Sequence, residues 1–350
     1  MNDNPYPASE RAKAIVKKSM TMDTLLSIAG VAGQQIRDEQ YHPYMDDCIE
    51  TGFKVIGLCP SADSGMHTFM DSLKAWEWHL HKLNERPDKY KIVRTAKDIR
   101  DAMAEGKLAI YFTHQGIQIF EQDFDRIGIM RQLGFGYCLL VYNSQDITGA
   151  GCMVKEDGGL TGFGKALVKA YNKWGMIVDV THVGERTSLD AIEASSQPVI
   201  SSHSPAHAVA PYARCISDAR IKAIAQSGGV SCINMCGYML DLSNPDFVTT
   251  DMIFRHIDHM VQLVGPDYVG LGSDYIPDTT LTVAISAAHP EIYDDNGYTV
   301  AAGKKGFPTP RPPDVYPAIV DTFLEHGYSE EACGKILGGN MMRVFEQVWY

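Results

Sequence analysis

Long hydrophobic runs are missing from this sequence. No window approaches the roughly 18 consecutive apolar residues that a membrane-spanning helix requires, and the first twenty residues contain no apolar core of a secretory signal. The eight cysteines are scattered, without a Cys-x-x-Cys motif. Cys232 and Cys236 lie in a strand-like run, where a span of about 13 Å is too long for a disulfide. These absences predict a cytoplasmic protein with reduced thiols.

Positive charge is also scarce. The chain has 31 Lys and Arg residues against 43 Asp and Glu residues, a formal net charge of −12. This balance provides no general attraction for nucleic acid or for an anionic membrane surface. A bound carboxylate or phosphate would have to be held by a few local cations or by a metal ion. The 350 residues, 45% of them hydrophobic and 21% charged, are otherwise ordinary for a globular protein.

Short apolar runs alternate with stretches of helical period. Several runs are continuously apolar, as expected for parallel strands covered on both faces. Eight such strands, each followed by helical sequence, predict an α/β fold of the (β/α)8 TIM barrel type. A doubly wound sheet is the alternative, although no Gly-x-Gly-x-x-Gly motif follows an early strand. The eight predicted strands are Ser19–Leu26, Phe53–Leu58, Leu108–Thr113, Tyr137–Tyr142, Met176–Val180, Pro198–Ser201, Val230–Met235 and Tyr268–Gly272.

Capping residues mark the predicted helices. Thr161 begins and Gly175 ends one helix, and a second runs from Thr249 or Thr250 to Gly265. Ser329 opens a final helix that extends toward Gly338. The polar, proline-rich stretch 277–313 lacks clear periodicity and is predicted to be a loop or lid at the barrel mouth. No linker divides the chain, so we expect one barrel domain over residues 1–350.

Polar residues follow several predicted strands, at the end where (β/α)8 barrels carry their active sites. His182 and His203 each close an apolar strand, and Asp274 follows the last strand. Two imidazoles and a carboxylate can hold a divalent transition metal, which would activate a bound water and polarise a carbonyl. A lone histidine is more often a satisfied structural residue, so the spacing leaves both interpretations open.

Other candidates surround this group. Arg214 follows the sixth strand and is either a solvated cation or a clamp for a substrate carboxylate. Tyr142 ends the fourth strand and is either a packed tyrosine or a hydrogen-bond donor to an oxyanion. His114 and Gln115 end the third strand. Because side chains alternate along a strand, only one of these two is expected to face the barrel mouth.

These segments together resemble the membrane (renal) dipeptidase family. The resemblance is good over about residues 90 to 350 and poor before them. Several ordered motifs at consistent spacing carry it. They are residues 177–187 (IVDVTHVGERT), 198–204 (PVISSHS), 221–225 (IKAIA), Gly228-Gly229, 259–265, 268–274 (YVGLGSD) and 336–340 (ILGGN) with Val344.

The resemblance implies a barrel of the amidohydrolase type with a two-zinc site. It assigns second-zinc binding to His182 and His203, and substrate-carboxylate binding to Arg214. It assigns first-zinc binding and the leaving-group proton to Asp274, and a position near the scissile carbonyl to Tyr142.

The chain also departs from the family pattern. The family motif Asp-Gly-His-x-Asp corresponds to 23–27 (DTLLS), so Leu25 and Ser27 stand where ligands are expected. The bridging glutamate corresponds to Gln115, which offers a carbonyl oxygen without charge. A standard two-metal centre is therefore not expected.

Two functions follow as hypotheses. The first is a dipeptidase-like hydrolase that cleaves an amide bond in a small carboxylate-bearing substrate with at most one metal ion, zinc by resemblance, or none. In this hypothesis His182, His203 and Asp274 bind the metal, and Gln115 or water completes its coordination shell. Arg214 binds the substrate carboxylate. Asp274 also moves the proton, and Tyr142 stabilises the oxyanion. The second is a divergent member without dipeptide hydrolysis, either a binding protein, a subunit without activity, or an enzyme of another reaction with His114 as acid or base. A homodimer is compatible with the resemblance.

Overall fold

The computed structural model describes residues 4–28, 38–60, 69–243, 246–277, 279, 288 and 308–349. Within these residues the chain forms nine β-strands and thirteen α-helices. The strands are β1 (Met22–Leu26), β2 (Val55–Leu58), β3 (Tyr90–Ile92), β4 (Leu108–His114), β5 (Phe135–Leu139), β6 (Ile177–Asp179), β7 (Val199–Ile200), β8 (Ser231–Ile233) and β9 (Val269–Leu271). The helices are α1 (Glu10–Lys18), α2 (Asp38–Thr51), α3 (Phe69–Glu85), α4 (Ala96–Ala104), α5 (Asp125–Gln132), α6 (Gly162–Trp174), α7 (Glu185–Ala194), α8 (Asp218–Gln226), α9 (Gly237–Leu240), α10 (Thr250–Val264), α11 (Pro312–Glu325), α12 (Glu330–Gly334) and α13 (Asn340–Val348).

Eight of these strands form a parallel barrel, as the alternation of strands and helices predicts. The main sheet has the order β1-β2-β4-β5-β6-β7, and β8 pairs with β9. Parallel bridges between Ser201 and Ser231 and between Leu26 and Tyr275 join the two sheets on both sides. All eight predicted runs overlap a barrel strand. The remaining strand, β3, pairs with the first residues of β4 and is too short for its period to be recognised in the sequence.

Aromatic residues fill the lower part of the barrel. The Tyr111 ring lies 5.3 Å from the rings of Phe345 and Trp349, which belong to the C-terminal helix and the residue after it. Trp349 donates a hydrogen bond to the carbonyl oxygen of Gly136 at 3.2 Å. Tyr111 and Tyr137 both donate to the carbonyl oxygen of Thr24. Because this end is packed, chemistry is restricted to the opposite end, where the strands finish.

Two of the predicted helices are confirmed with their caps. Thr161 accepts a hydrogen bond from Gly164 N, and Gly175 ends α6 with φ 65°. Thr249 accepts from Met252 N at the start of α10. The predicted final helix does begin after Ser329, whose side chain accepts a hydrogen bond from Ala332 N. Beyond Gly334 the chain passes through a π-helical turn at Lys335–Gly339 and continues into α13.

Most of the predicted lid 277–313 lies outside the described residues, and α11 already begins at its end, at Pro312. All eight cysteines are free, and seven are buried. In the described ranges, none of the helices has the length and apolar character needed to cross a membrane.

Candidate active site

Strained backbone marks the open end of the barrel. Asn143, His182 and Asp274 follow strands β5, β6 and β9, and all three have positive φ, at 56°, 65° and 54°. Non-glycine residues in this region cost about 1 to 3 kcal/mol each and cluster at active sites. Only two other non-glycine residues of the described chain, Glu121 and Gln122, share this conformation. The strain therefore indicates a functional site where these three strands end.

His182 and His203 face each other at this end. Their Nε2 atoms are 3.1 Å apart, and both side chains are almost fully buried. Burial and the nearby charge of Arg214 hold the pKa of both imidazoles well below the usual value. At neutral pH both rings are therefore uncharged, and each has one nitrogen with a free lone pair.

Neighbouring side chains fix the orientation of both rings. His182 Nδ1 lies 2.7 Å from Asn143 Oδ1, and His203 Nδ1 lies 2.7 Å from Ser202 Oγ. Tyr142 stacks on the His182 ring with centroids 4.3 Å apart. Histidines that bind metals typically make such a contact through the ring nitrogen that does not bind the metal.

Arg214 supplies positive charge beside the imidazoles. It is 1% exposed, and its guanidinium donates hydrogen bonds to Ser204 Oγ at 3.3 Å and to the His203 carbonyl oxygen at 3.2 Å. Its charge also favours the ionised form of Asp274. The structure therefore places Arg214 beside the histidine pair.

Two carboxyl groups lie near the ends of β1 and β9. Asp23 accepts hydrogen bonds from Ser273 N at 2.8 Å and Ser273 Oγ at 2.5 Å. Burial raises the pKa of Asp23 to about 7, and the adjacent charge of Asp274 adds to this shift. Burial also raises the pKa of Asp274 to about 7. Both groups can therefore hold or release a proton near neutral pH.

The β1–β4 side of the mouth, defined by Asp23, Leu25, Ser27 and Gln115, has a different character. Leu25 is fully buried, and Gln115 is 6% exposed. The carboxylate of Asp23 is occupied by Ser273 and by Leu25 N. We call the opposite part, formed by Tyr142, Asn143, His182, His203 and Arg214, the β5–β7 side.

His114 lies away from this mouth. Its Nε2 is 3.3 Å from Ser72 Oγ on α3, and its Nδ1 is 3.0 Å from the Gly116 carbonyl oxygen. Phe112, two residues earlier, packs against Trp76 of the same helix. Side chains alternate along β4, so His114 shares the outer face with Phe112, and Gln115 takes the opposite face. Burial lowers the pKa of His114 to about 4. Its predicted acid–base role gains no support from this placement.

The residues present fit one metal ion only in part. Two nitrogens that bind one zinc ion at about 2.0 to 2.1 Å lie roughly 3.3 to 3.4 Å apart in tetrahedral geometry, and the Nε2 atoms, 3.1 Å apart, are close to this spacing. Among the described residues, however, no three His, Cys, Asp or Glu side chains are grouped closely enough to hold a metal. Asp274 therefore does not complete a three-residue metal site with the histidines here. Within the described ranges, the side chains also provide no grouped ligands for a two-metal centre.

Two contributors to the site were not predicted from the sequence. Asn143 was recognised as a strand end but received no role, although an asparagine after a buried strand is a signal for a left-handed residue. An apolar cluster beside Arg214 was also missed. It consists of Ala210, Tyr212, Cys215, Cys236, Tyr238 and Met239, with the partly exposed Tyr142, Met153 and Ile276 packed against it.

Comparison with known proteins agrees with this fold. A dipeptidase of Claviceps purpurea, tcpJ, is 27% identical over 265 residues, which are 75% of this chain and 56% of that protein. The chain thus matches little more than half of that relative's length.

Solved structures give a similar result. An amidohydrolase from Pseudomonas aeruginosa superposes with a TM-score of 0.84 at 25% identity, covering 97% of this chain and 99% of that one. A metallopeptidase from Rhodobacter sphaeroides, solved with a phosphinate mimic of L-Ala-D-Ala, has a TM-score of 0.74 at 20% identity and covers 95% and 100%. The latter likeness concerns the fold alone.

The sequence model of the membrane dipeptidase family, peptidase family M19, matches residues 51–285, about two thirds of the chain. Together with the barrel and the dipeptidase relative, this match shows that the chain belongs to the membrane dipeptidase family.

Proposed function

We propose that this protein hydrolyses an amide bond in a small, dipeptide-like substrate that carries a carboxylate, with at most one divalent metal ion. The observation that carries the proposal is the buried pair of neutral imidazoles whose Nε2 atoms lie 3.1 Å apart. The family is one of dipeptidases, and this supports the substrate class.

His182 and His203 would hold the ion, with zinc as the first metal to test. A divalent ion bound there would polarise the scissile carbonyl and lower the pKa of a water molecule. Only two protein nitrogens are provided, so water, Gln115 or substrate would complete the coordination. Membership of the family favours a metal. Within this chain, the buried ring nitrogens of His182 and His203 are the atoms that would bind it.

Arg214 is proposed to bind the substrate carboxylate. Its guanidinium is buried and already oriented by Ser204 and His203, so little side-chain entropy is lost when it forms a two-point contact. The apolar cluster next to Arg214 presents Tyr142, Met153 and Ile276. We expect these side chains to contact the apolar part of the substrate.

Asp274 is proposed to move the proton. A carboxyl with a pKa of about 7 can accept a proton from the attacking water and return it to the leaving amine. Tyr142, held against the His182 ring, is proposed to donate a hydrogen bond to the oxyanion. These roles require both groups to lie beside the same scissile bond.

The test combines metal analysis with substrate turnover. Protein purified without chelator is expected to contain up to about one equivalent of transition metal, and chelation should abolish turnover until zinc is restored. A panel of L,L and L,D dipeptides defines stereochemistry. His182→Ala should abolish turnover, whereas His259→Gln, on a partly exposed histidine paired with Asp218, should not. Less than about a tenth of an equivalent of metal, together with full activity of His182→Ala, would reject the proposal.

A further inference from the structure

Asn143 is placed to act on His182. It follows β5 with φ 56°, and its side chain is fully buried. Its Oδ1 lies 2.7 Å from His182 Nδ1 and 3.5 Å from Cys152 Sγ. The backbone fixes the same region, because Cys152 N donates to the His182 carbonyl oxygen at 2.8 Å and Met153 N to the Asn143 carbonyl oxygen at 3.0 Å. The side chain is therefore held on one particular nitrogen of one imidazole.

This contact determines where the proton of His182 resides. An amide oxygen accepts hydrogen bonds and cannot donate them, so Nδ1 must carry the proton and Nε2 must keep its lone pair. The lone pair then points to His203 Nε2 at 3.1 Å. If the amide were turned, Nδ2 would donate to Nδ1, and the proton would move to Nε2. The thiol of Cys152, a weak donor to the same atom, favours oxygen at this position.

We propose that Asn143 is a positioning residue, whose side-chain oxygen keeps the proton of His182 on Nδ1 and so keeps Nε2 free for a divalent ion beside His203. The inference rests on the proposed function for its metal, but the proton position can be measured without any metal. The positive φ of Asn143 fits the residue type, since asparagine, like aspartate and glycine, adopts this conformation more easily than most residues.

Two substitutions at this position separate the side chain from the backbone. Asn143→Asp keeps an acceptor oxygen, whereas Asn143→Gly keeps the left-handed backbone and removes the acceptor. The nitrogen-15 spectrum of histidine-labelled, metal-free protein reports which ring nitrogen carries the proton, and His182→Gln assigns the signal. His256 is an internal reference of the opposite tautomer, because its Nδ1 accepts from Ala206 N and its Nε2 lies 3.0 Å from the Leu240 carbonyl oxygen.

We expect His182 to be protonated on Nδ1 in the wild type and in Asn143→Asp, and to lose this preference in Asn143→Gly. Zinc affinity, measured by competition with a chelating dye, should fall about 10- to 100-fold in Asn143→Gly and not in Asn143→Asp. The tautomer of His256 should be the same in all variants. Should the glycine variant fail to fold, the wild-type spectrum still decides, because a proton on Nε2 of His182 overturns the inference.

The outcomes also distinguish this inference from the proposed function. If the wild type binds zinc and Asn143→Gly changes neither the tautomer nor the affinity, the inference is wrong and the function stands. If the tautomer shifts as expected but no variant binds zinc, Asn143 does position the proton, and the metal in the proposed function is wrong.

Discussion

The β5–β7 side and the β1–β4 side of the barrel mouth share one scaffold but differ in chemistry. On the β5–β7 side, two buried imidazoles face each other and a buried guanidinium lies beside them. On the β1–β4 side, Leu25 is fully buried, and the carboxylate of Asp23 is occupied by hydrogen bonds from its neighbours. The barrel supplies the same strand ends in both places. The side chains, not the fold, therefore decide where a cation can bind.

Electrostatic repulsion explains why the lack of charged ligands on the β1–β4 side limits the number of metal ions. Two divalent ions about 3.5 Å apart repel each other by roughly 19 kcal/mol at an effective dielectric constant of about 20. Anionic ligands between the ions normally offset this repulsion. Gln115 and Leu25 carry no charge, so the offset is missing, and one ion is the largest number that we expect.

The first prediction concerns the loss of one histidine from the β5–β7 side. His203→Ala should reduce zinc affinity by about a hundredfold or more, because one of only two protein nitrogens is lost. Turnover of the best dipeptide should fall below detection. Isothermal titration with zinc and steady-state kinetics provide the measurements. His259→Gln is the matched control, and unchanged zinc affinity in His203→Ala would place the metal elsewhere.

The second prediction separates substrate binding from chemistry. Arg214→Lys should raise KM about 10-fold, and Arg214→Met about 100-fold, because a hydrogen bond to a charged group contributes about 1.5 to 3 kcal/mol. The matched comparison is the same dipeptide as its C-terminal amide, whose KM should hardly depend on residue 214. Equal losses for acid and amide would mean that Arg214 supports the histidines instead of binding the carboxylate.

The third prediction concerns the β1–β4 side and pH. Burial raises the pKa of Asp23 from 3.8 to about 7, so the folded state keeps a proton that the unfolded state releases. The free energy of unfolding should therefore fall by about 1.4 kcal/mol per pH unit between about pH 4 and 7, on the order of 4 kcal/mol in all. Asp23→Asn should remove this contribution.

Urea unfolding at several pH values measures this slope. Asp274 has a similarly raised pKa, so the slope should decrease in Asp23→Asn but not vanish. Glu193→Gln, at an exposed carboxylate on α7, should leave the slope as in the wild type. An identical slope in Asp23→Asn and the wild type would show that Asp23 is ionised in the folded protein.

The smallest effect is expected from a partial restoration of the β1–β4 side. Gln115→Glu alone should leave the metal content at about one ion or fewer per chain, since Leu25 and Ser27 still provide no charged or imidazole ligand. The triple variant with Leu25→His and Ser27→Asp should approach about two ions per chain. Elemental analysis gives the count, and a second ion in the single variant would contradict the comparison.

Local signals made much of the fold predictable. Apolar runs marked the barrel strands, and Thr161 with Gly175 marked the two ends of α6. The turn around Gly338 was not predictable, because a glycine normally ends a helix, whereas here the chain turns and continues into α13. The strand β3 depends on pairing with β4 and has little local signal.

The candidate site was predictable only as a set of positions. His182, His203, Arg214 and Asp274 could be named because strand ends of a barrel meet at one face. The direction of each side chain could not be predicted. His114 is the example, since it contacts Ser72 on α3, whereas Gln115 takes the opposite face of the strand.

The sequence by itself determined the barrel, its family and the residue types at the strand ends, because periodicity and capping act over short distances along the chain. The tertiary structure decided that two histidines 21 residues apart place their Nε2 atoms 3.1 Å from each other. It also decided that Asn143, 39 residues from His182, contacts the nitrogen that sets the tautomer. Such contacts depend on backbone angles and packing between separate strands, which no local pattern encodes.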